Sequence, residues 1–258
     1  SRLKTGAFAG LITSDAHPRY GGKLIQVLPS LGMALAAGAV LILALPPYSI
    51  LPFALIAFAV LVIMLRGTSW PVAFRLGYLF GLGQFIPGLF WITESFQVEA
   101  DRFGWLALPA VLGLAALLAV FPAVACALAA RMARAGLPLA LSLATSWTGL
   151  EWLRGHVLTG FPWNLAAYTL ADWLPFAQVA SLVGSYGLGF LLVLCSALVG
   201  LAFRAPARRL QVIRFASATA IAVTVAGFGV ARLALSVPSS ERGAHIRVVQ
   251  PNIAQSAK

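Results

Sequence analysis

The sequence predicts an all-α polytopic membrane bundle of about seven transmembrane helices, followed by the first strand of a soluble domain. Three observations lead there. Hydrophobic residues make up 60% of the 258 positions and charged residues 10%, where a soluble domain carries roughly 25% charged residues. Apolar runs recur along the chain, with a mean hydropathy of +0.92. After Leu235 the character changes, and short polar stretches replace the hydrocarbon.

The first 30 residues carry Arg2, Lys4, Arg19 and Lys23 and lack the basic, apolar and small-residue order of a cleavable signal. They are expected to form a cytoplasmic tail on a truncated or processed chain. The first apolar run goes from Leu31 to Leu45 and stops at Pro46 and Pro47, which cannot donate helix hydrogen bonds. The second, Ile50 to Leu65, follows so closely that a helical hairpin is expected. The third runs from Phe74 to Phe96 and the fourth from Trp105 to Ala130, with Glu94, Glu99, Asp101 and Arg102 between them. The fifth spans Leu137 to Leu153, the sixth Leu174 to Phe203 with Gly184, Gly187 and Gly189 inside it, and the seventh Phe215 to Leu235. Gly77 and Gly81 form a GxxxG pair that favours close helix contact.

Beyond these runs, residues 31–236 giving the membrane domain, 237–244 read as a linker. His245-Ile-Arg-Val-Val-Gln250 alternates as a strand does, and Pro251-Asn252 punctuates its end. One strand has unpaired edges and does not fold alone.

Basic residues sort by side. If the tail is cytoplasmic, twelve Lys and Arg fall on that face, while the opposite loops between spans carry only Arg102 and Arg154. Because cytoplasmic loops collect Lys and Arg, the amino terminus is expected inside and the carboxyl terminus outside. The net charge of +11 is therefore topological and no nucleic-acid partner is expected. The outer face then gathers Glu94, Glu99, Asp101, Glu151 and Asp172. Cys126 and Cys195 lie inside apolar runs, which marks them as small buried hydrophobes. No metal-ligand spacing is present and no cofactor is expected; His156 has no second ligand near it.

The densest chemistry is Glu151-Trp-Leu-Arg-Gly-His-Val-Leu-Thr-Gly-Phe-Pro-Trp-Asn164. Charges at a span end are costly unless paired or wet, so Glu151 and Arg154, three apart on one helix face, mark a candidate site. The pair has two readings: an ion pair that anchors the helix end and orients the outer loop, or a mouth for lipid head groups, since the arginine fork suits phosphate. Trp91, Glu94, Trp152 and Trp163 complete the candidate set. The tryptophans also fit an interfacial aromatic belt.

These residues resemble the apolipoprotein N-acyltransferases of the bacterial inner membrane. The markers are Leu45-Pro-Pro-Tyr48, Gly88-Leu-Phe-Trp-Ile92, Glu151-Trp-Leu-Arg154 with Thr159-Gly-Phe-Pro-Trp163, Gly184-Ser-Tyr-Gly187, and Arg247-Val-Val-Gln-Pro-Asn-Ile253 with Gln255. The resemblance implies seven spans, a periplasmic α/β nitrilase-like domain beginning at 245–258, and a final eighth span. It also implies transfer of an acyl chain from a phospholipid donor to the α-amino group of an apolipoprotein's diacylglyceryl-cysteine. The family's catalytic Glu, Lys and Cys belong to the nitrilase-like domain and are expected beyond Lys258, so the 258-residue chain is expected to be inactive alone. Rival readings are a noncatalytic membrane anchor and a small-molecule transporter. The transporter reading wants midplane charges and two related halves, and the sequence shows neither.

Overall fold

The computed structural model describes residues 21–235, together with Arg247 and Val249. Ten α-helices occur among the described residues: α1 (Gly21–Leu41), α2 (Pro52–Leu65), α3 (Trp70–Gly88), α4 (Ala100–Phe103), α5 (Ala107–Leu118), α6 (Val120–Met132), α7 (Gly136–His156), α8 (Leu174–Ala177), α9 (Ala180–Ala202) and α10 (Arg208–Leu235). Short 3₁₀ segments fill Ile42–Ala44, Phe90–Gln97, Gly104–Leu106 and Ala166–Leu170. The apolar runs are largely helical, with the third passing from α3 into the 3₁₀ segment Phe90–Gln97 and the fourth divided between α5 and α6. Three stretches, Ala100–Met132, Ala180–Ala202 and Arg208–Leu235, are long and apolar enough to cross a membrane, and α3 with the bent segment after it makes a fourth. The protein is a multi-pass membrane protein.

Local chemistry explains where the helices start and bend. Pro52 and Pro71 stand in the first turns of α2 and α3, where a missing N–H costs nothing. Pro87 sits at the end of α3, and the chain turns by 41° into the 3₁₀ segment Phe90–Gln97. Several boundaries differ from the sequence expectation, and α3 spans Trp70–Gly88 where Phe74 to Phe96 was expected. Helix α1 is already formed at Gly21, the first described residue, rather than starting near Leu31, and α10 begins at Arg208 rather than near Phe215. Long basic side chains at a span end reach the interface while their stems stay apolar, so Arg208, Arg209 and Arg214 do not stop a helix. The sixth run also divides: Leu174–Ala177 is a separate turn, and Gly184 breaks α9 with φ 68° and ψ 178°. The expected strand at 245–250 lies outside the described residues, except for exposed Arg247 and Val249, which carry no regular structure.

The helices run up and down, so alternate loops gather at two ends. At one end the Gly67 N–H donates to the Arg134 carbonyl (2.9 Å), and Arg66 Nη1 donates to the Arg204 carbonyl (3.0 Å). At the other end Ser49 hydrogen-bonds Asp172, and Trp173 Nε1 donates to the Ser49 carbonyl (3.2 Å). Glu94, Glu99, Asp101, Glu151 and Asp172, all the acids among the described residues, lie at or next to this second end.

Packing in the interior relies on small residues because lipid supplies no hydrophobic drive between helices. A Cβ on Gly77 would stand 2.5 Å from the Pro122 carbonyl, and one on Gly81 would stand 2.8 Å from Ala119 Cα, so the expected close contact of the GxxxG pair is α3 against α5 and α6. Gly38 of α1 meets the Phe80 carbonyl, and Gly83 of α3 meets the Leu35 carbonyl, in a reciprocal crossing. Beside it, Phe58, Phe80 and Trp147 form the aromatic centre, with Trp147 edge-on to both rings at 4.8 and 5.6 Å.

Candidate functional site

The last turn of α7 carries the charged pair, and both side chains are inside the protein. Glu151 is 5% exposed and Arg154 3%. No direct ion pair joins them. Each reaches instead into the returning segment that follows α7. Arg154 Nη1 donates to the Trp163 carbonyl at 2.7 Å, and Glu151 Oε1 accepts the Ala166 N–H at 2.9 Å. The arginine bond is charge-assisted, a class roughly twice as strong as neutral ones. The guanidinium also lies over the Phe85 ring, 5.0 Å from its centroid.

A second pair of amides ties the same segment to α3. Gln84 Nε2 donates to the Asn164 carbonyl (3.0 Å), and Asn164 Nδ2 donates to the Gly88 carbonyl (3.2 Å). The approach is close at Gly88, where a Cβ would displace the Asn164 amide. Asn164 itself has φ 55°, a left-handed conformation that Asn tolerates better than other side-chain-bearing residues. The polar residues of α3 and α7 thus form a clamp on residues 163–166.

The clamp decides what reaches the surface. Trp163 is 53% exposed and stands 5.7 Å from Trp91, itself 52% exposed on the 3₁₀ segment after α3. Trp152 is half exposed on α7 and stacks on His156 at 4.5 Å; His156 Nδ1 bonds the Trp152 carbonyl at 2.7 Å. Glu94 is exposed on the 3₁₀ segment that carries Trp91. Of the six residues expected from sequence, Glu151 and Arg154 are buried members of the clamp and the other four are exposed; Trp91 and Trp163 come together, while Trp152 stacks on His156 and Glu94 stands on the segment that carries Trp91. Tyr168, on the Ala166–Leu170 turn, has its phenol pushed above the ordinary tyrosine range by partial burial, reinforced by Tyr186. It stays a neutral donor at neutral pH.

Gln84, Trp147 and the contacts of Asn164 were not singled out as site members from the sequence. Gln84 carried a readable signal, being an amide alone in the apolar run Gly81-Leu-Gly-Gln-Phe85 and only 1% exposed. Among the described residues no group of three His, Cys, Asp or Glu can hold a metal ion. Cys126 is fully buried in α6, and Cys195 bonds only weakly to the Ala218 carbonyl, at 3.8 Å.

The clamp offers a direct check on its own strength. Asn164→Val removes both the Gly88 bond and the tolerance for positive φ, and is expected to destabilise the protein by about 2–4 kcal/mol in a detergent unfolding series. Asn164→Gly, which keeps the conformation and loses only the bond, is expected to cost about 1 kcal/mol.

A model of the apolipoprotein N-acyltransferase N-terminal domain matches residues 37–198, which contain α2 to α8 and the whole clamp. The chain belongs to this family. Among its relatives, the apolipoprotein N-acyltransferase of Bradyrhizobium diazoefficiens is 44% identical over 233 residues, covering 88% of this chain and 43% of the relative. That of Rhodopseudomonas palustris is 40% identical over 242 residues, covering 88% and 44%. The Caulobacter vibrioides protein of the same name is 38% identical over 233 residues, covering 88% and 42%. The chain thus spans a little under half the length of these relatives. Within the family's domain, the clamp is the best-built polar feature among the described residues.

Proposed function

We propose that this chain is the membrane portion of a bacterial apolipoprotein N-acyltransferase. In this reading it crosses the inner membrane seven times, with the amino terminus in the cytoplasm and the acid-bearing end in the periplasm. Residues 1–30 are the cytoplasmic tail, 237–244 the linker, and 245–258 the opening of the nitrilase-like domain. The observation that carries the reading is the family match over 37–198, supported by relatives at 38–44% identity that share that one name.

The reaction passes through two half-steps. A cysteine thiolate attacks the ester carbonyl of a phospholipid, the lysophospholipid leaves with a proton, and a thioester remains on the enzyme. The α-amino group of the apolipoprotein's diacylglyceryl-cysteine then attacks the thioester, and the thiol is released. A Glu to move protons and a Lys to stabilise the oxyanion are the family's partners for that cysteine. By resemblance all three belong to the nitrilase-like domain.

The role left to these residues is that of a platform. Trp91, Trp152 and Trp163 stand at the level where amphipathic rings favour the membrane interface, with Glu94 beside them, and together they form a rim for the phospholipid and lipopeptide head groups. Glu151 and Arg154 serve the rim from beneath by fixing the segment that carries Trp163. Two measurements test this. The purified 258-residue chain is expected to show no acyl transfer from phospholipid to a lipopeptide amine, and measurable transfer would overturn the division of labour. A photoactivatable diacylglyceryl-cysteine peptide is expected to label the Trp91 and Trp163 region, with labelling reduced severalfold in Trp163→Ala; labelling unchanged by that substitution would remove the rim.

A further inference from the structure

Beneath the clamp lies a cavity of about 10 Å³ between α3, α6 and α7. One ordered water needs about 10–15 Å³ on the same measure and two to four polar partners. Three buried polar atoms among its lining residues make no well-aligned hydrogen bond: Gln84 Oε1, Trp147 Nε1 and Glu151 Oε2, the last two being near neighbours. They belong to side chains 1%, 2% and 5% exposed. Arg154, also lining the cavity, donates one N–H to the Trp163 carbonyl, and its guanidinium carries further N–H groups.

The donor and acceptor pattern is what identifies the ligand. Gln84 Nε2 is fixed by its bond to the Asn164 carbonyl, so its Oε1 is the atom left over. Glu151 Oε1 is fixed by the Ala166 N–H, so Oε2 is left over in the same way. With Glu151 ionised one helical turn from Arg154, the cavity lining offers two acceptors, Gln84 Oε1 and Glu151 Oε2, and two donors, the Trp147 indole N–H and an Arg154 N–H. A water molecule has two hydrogens and two lone pairs. It donates to both acceptors and accepts from both donors, with nothing left over. A cation would be repelled by Arg154 and an anion by Glu151, and an apolar guest would leave every one of these atoms without a hydrogen bond.

We infer that a single buried water is a fixed member of the clamp, bridging Glu151 to Arg154 and tying both to Gln84 and Trp147. This explains how an acid and a base one helical turn apart coexist in the interior without touching. It is independent of the acyl-transfer reading, since it concerns only atoms within α3 and α7.

The test uses the full chain in phospholipid nanodiscs, labelled with ¹⁵N-tryptophan. The Trp147 indole signal is identified by its loss in Trp147→Phe. A direct cross-relaxation peak from this indole proton to water is expected, of the sign that a bound water gives and exchange does not. In Gln84→Leu, which deletes one acceptor, that peak is expected to be lost and the indole signal to shift upfield. No water peak in the unsubstituted chain would overturn the inference, as would a peak unchanged in Gln84→Leu. If Gln84→Leu does not fold, a density map of the unsubstituted chain that resolves ordered water decides. Density bonded to all four groups supports the inference, and an indole N–H bonded straight to Glu151 Oε2 across a dry cavity refutes it.

Discussion

Arg154→Ala is expected to be among the most damaging single substitutions, lowering stability by about 3–5 kcal/mol, the usual cost of removing one partner from a buried charged pair. Arg154 is 3% exposed, and its removal strands the Glu151 carboxylate inside the bundle while the Trp163 carbonyl loses its 2.7 Å donor. Arg154→Lys is expected to rescue only part of the loss, because a single ammonium cannot lie over Phe85 and reach the Trp163 carbonyl as the planar fork does. Glu151→Ala is expected to cost a similar amount, and the double variant clearly less than the sum, since the two side chains serve one network. Unfolding midpoints in detergent, set against exposed Arg102→Ala at within about 0.5 kcal/mol of the parent, make the comparison. Equal effects at Arg102 and Arg154 would mean that the clamp carries no special load.

Gly83→Val is expected to have the next largest effect, about 3 kcal/mol or more, at the upper end of overpacking costs. The atom that a Cβ would strike is the Leu35 backbone carbonyl, which no rotamer change can move, and Gly38→Val meets the Phe80 carbonyl in the same way. Either variant must push α1 away from α3, and Gln84, the residue after Gly83, would carry the clamp with it. Trp163 exposure is therefore expected to change as well, read as a shift in tryptophan emission. Gly113→Ala is the control, because nothing lies within 4 Å of a Cβ there. A Gly83→Val chain as stable as the parent would show that the α1 and α3 crossing can open without loss.

The membrane character and the position of the helices were legible in the sequence because the bilayer imposes one strict demand, a run of about 20 apolar residues per crossing. Boundaries were less legible. The arginines heading α10 looked like a loop but are helical, and the bend after α3 was announced only by Pro87. Glu151 and Arg154 stood out because charge is rare in such a chain, yet the reading that paired them directly did not anticipate their partners. Those partners are a backbone carbonyl at Trp163 and a backbone N–H at Ala166, groups every residue has and no composition can flag. Asn164 was visible in the same block, but its bond to Gly88, 76 positions away, is a product of tertiary packing.

The orientation of the bundle is the claim on which the platform depends, and cysteine accessibility measures it most directly. In a chain with Cys126→Ala and Cys195→Ala, a membrane-impermeant maleimide added to spheroplasts is expected to label Leu158→Cys, at a position 92% exposed beside the clamp. Arg134→Cys, at the opposite, arginine-rich end, is expected to react only after lysis. Labelling of Arg134→Cys in intact spheroplasts, with Leu158→Cys protected until lysis, would turn the rim toward the cytoplasm and contradict the assignment.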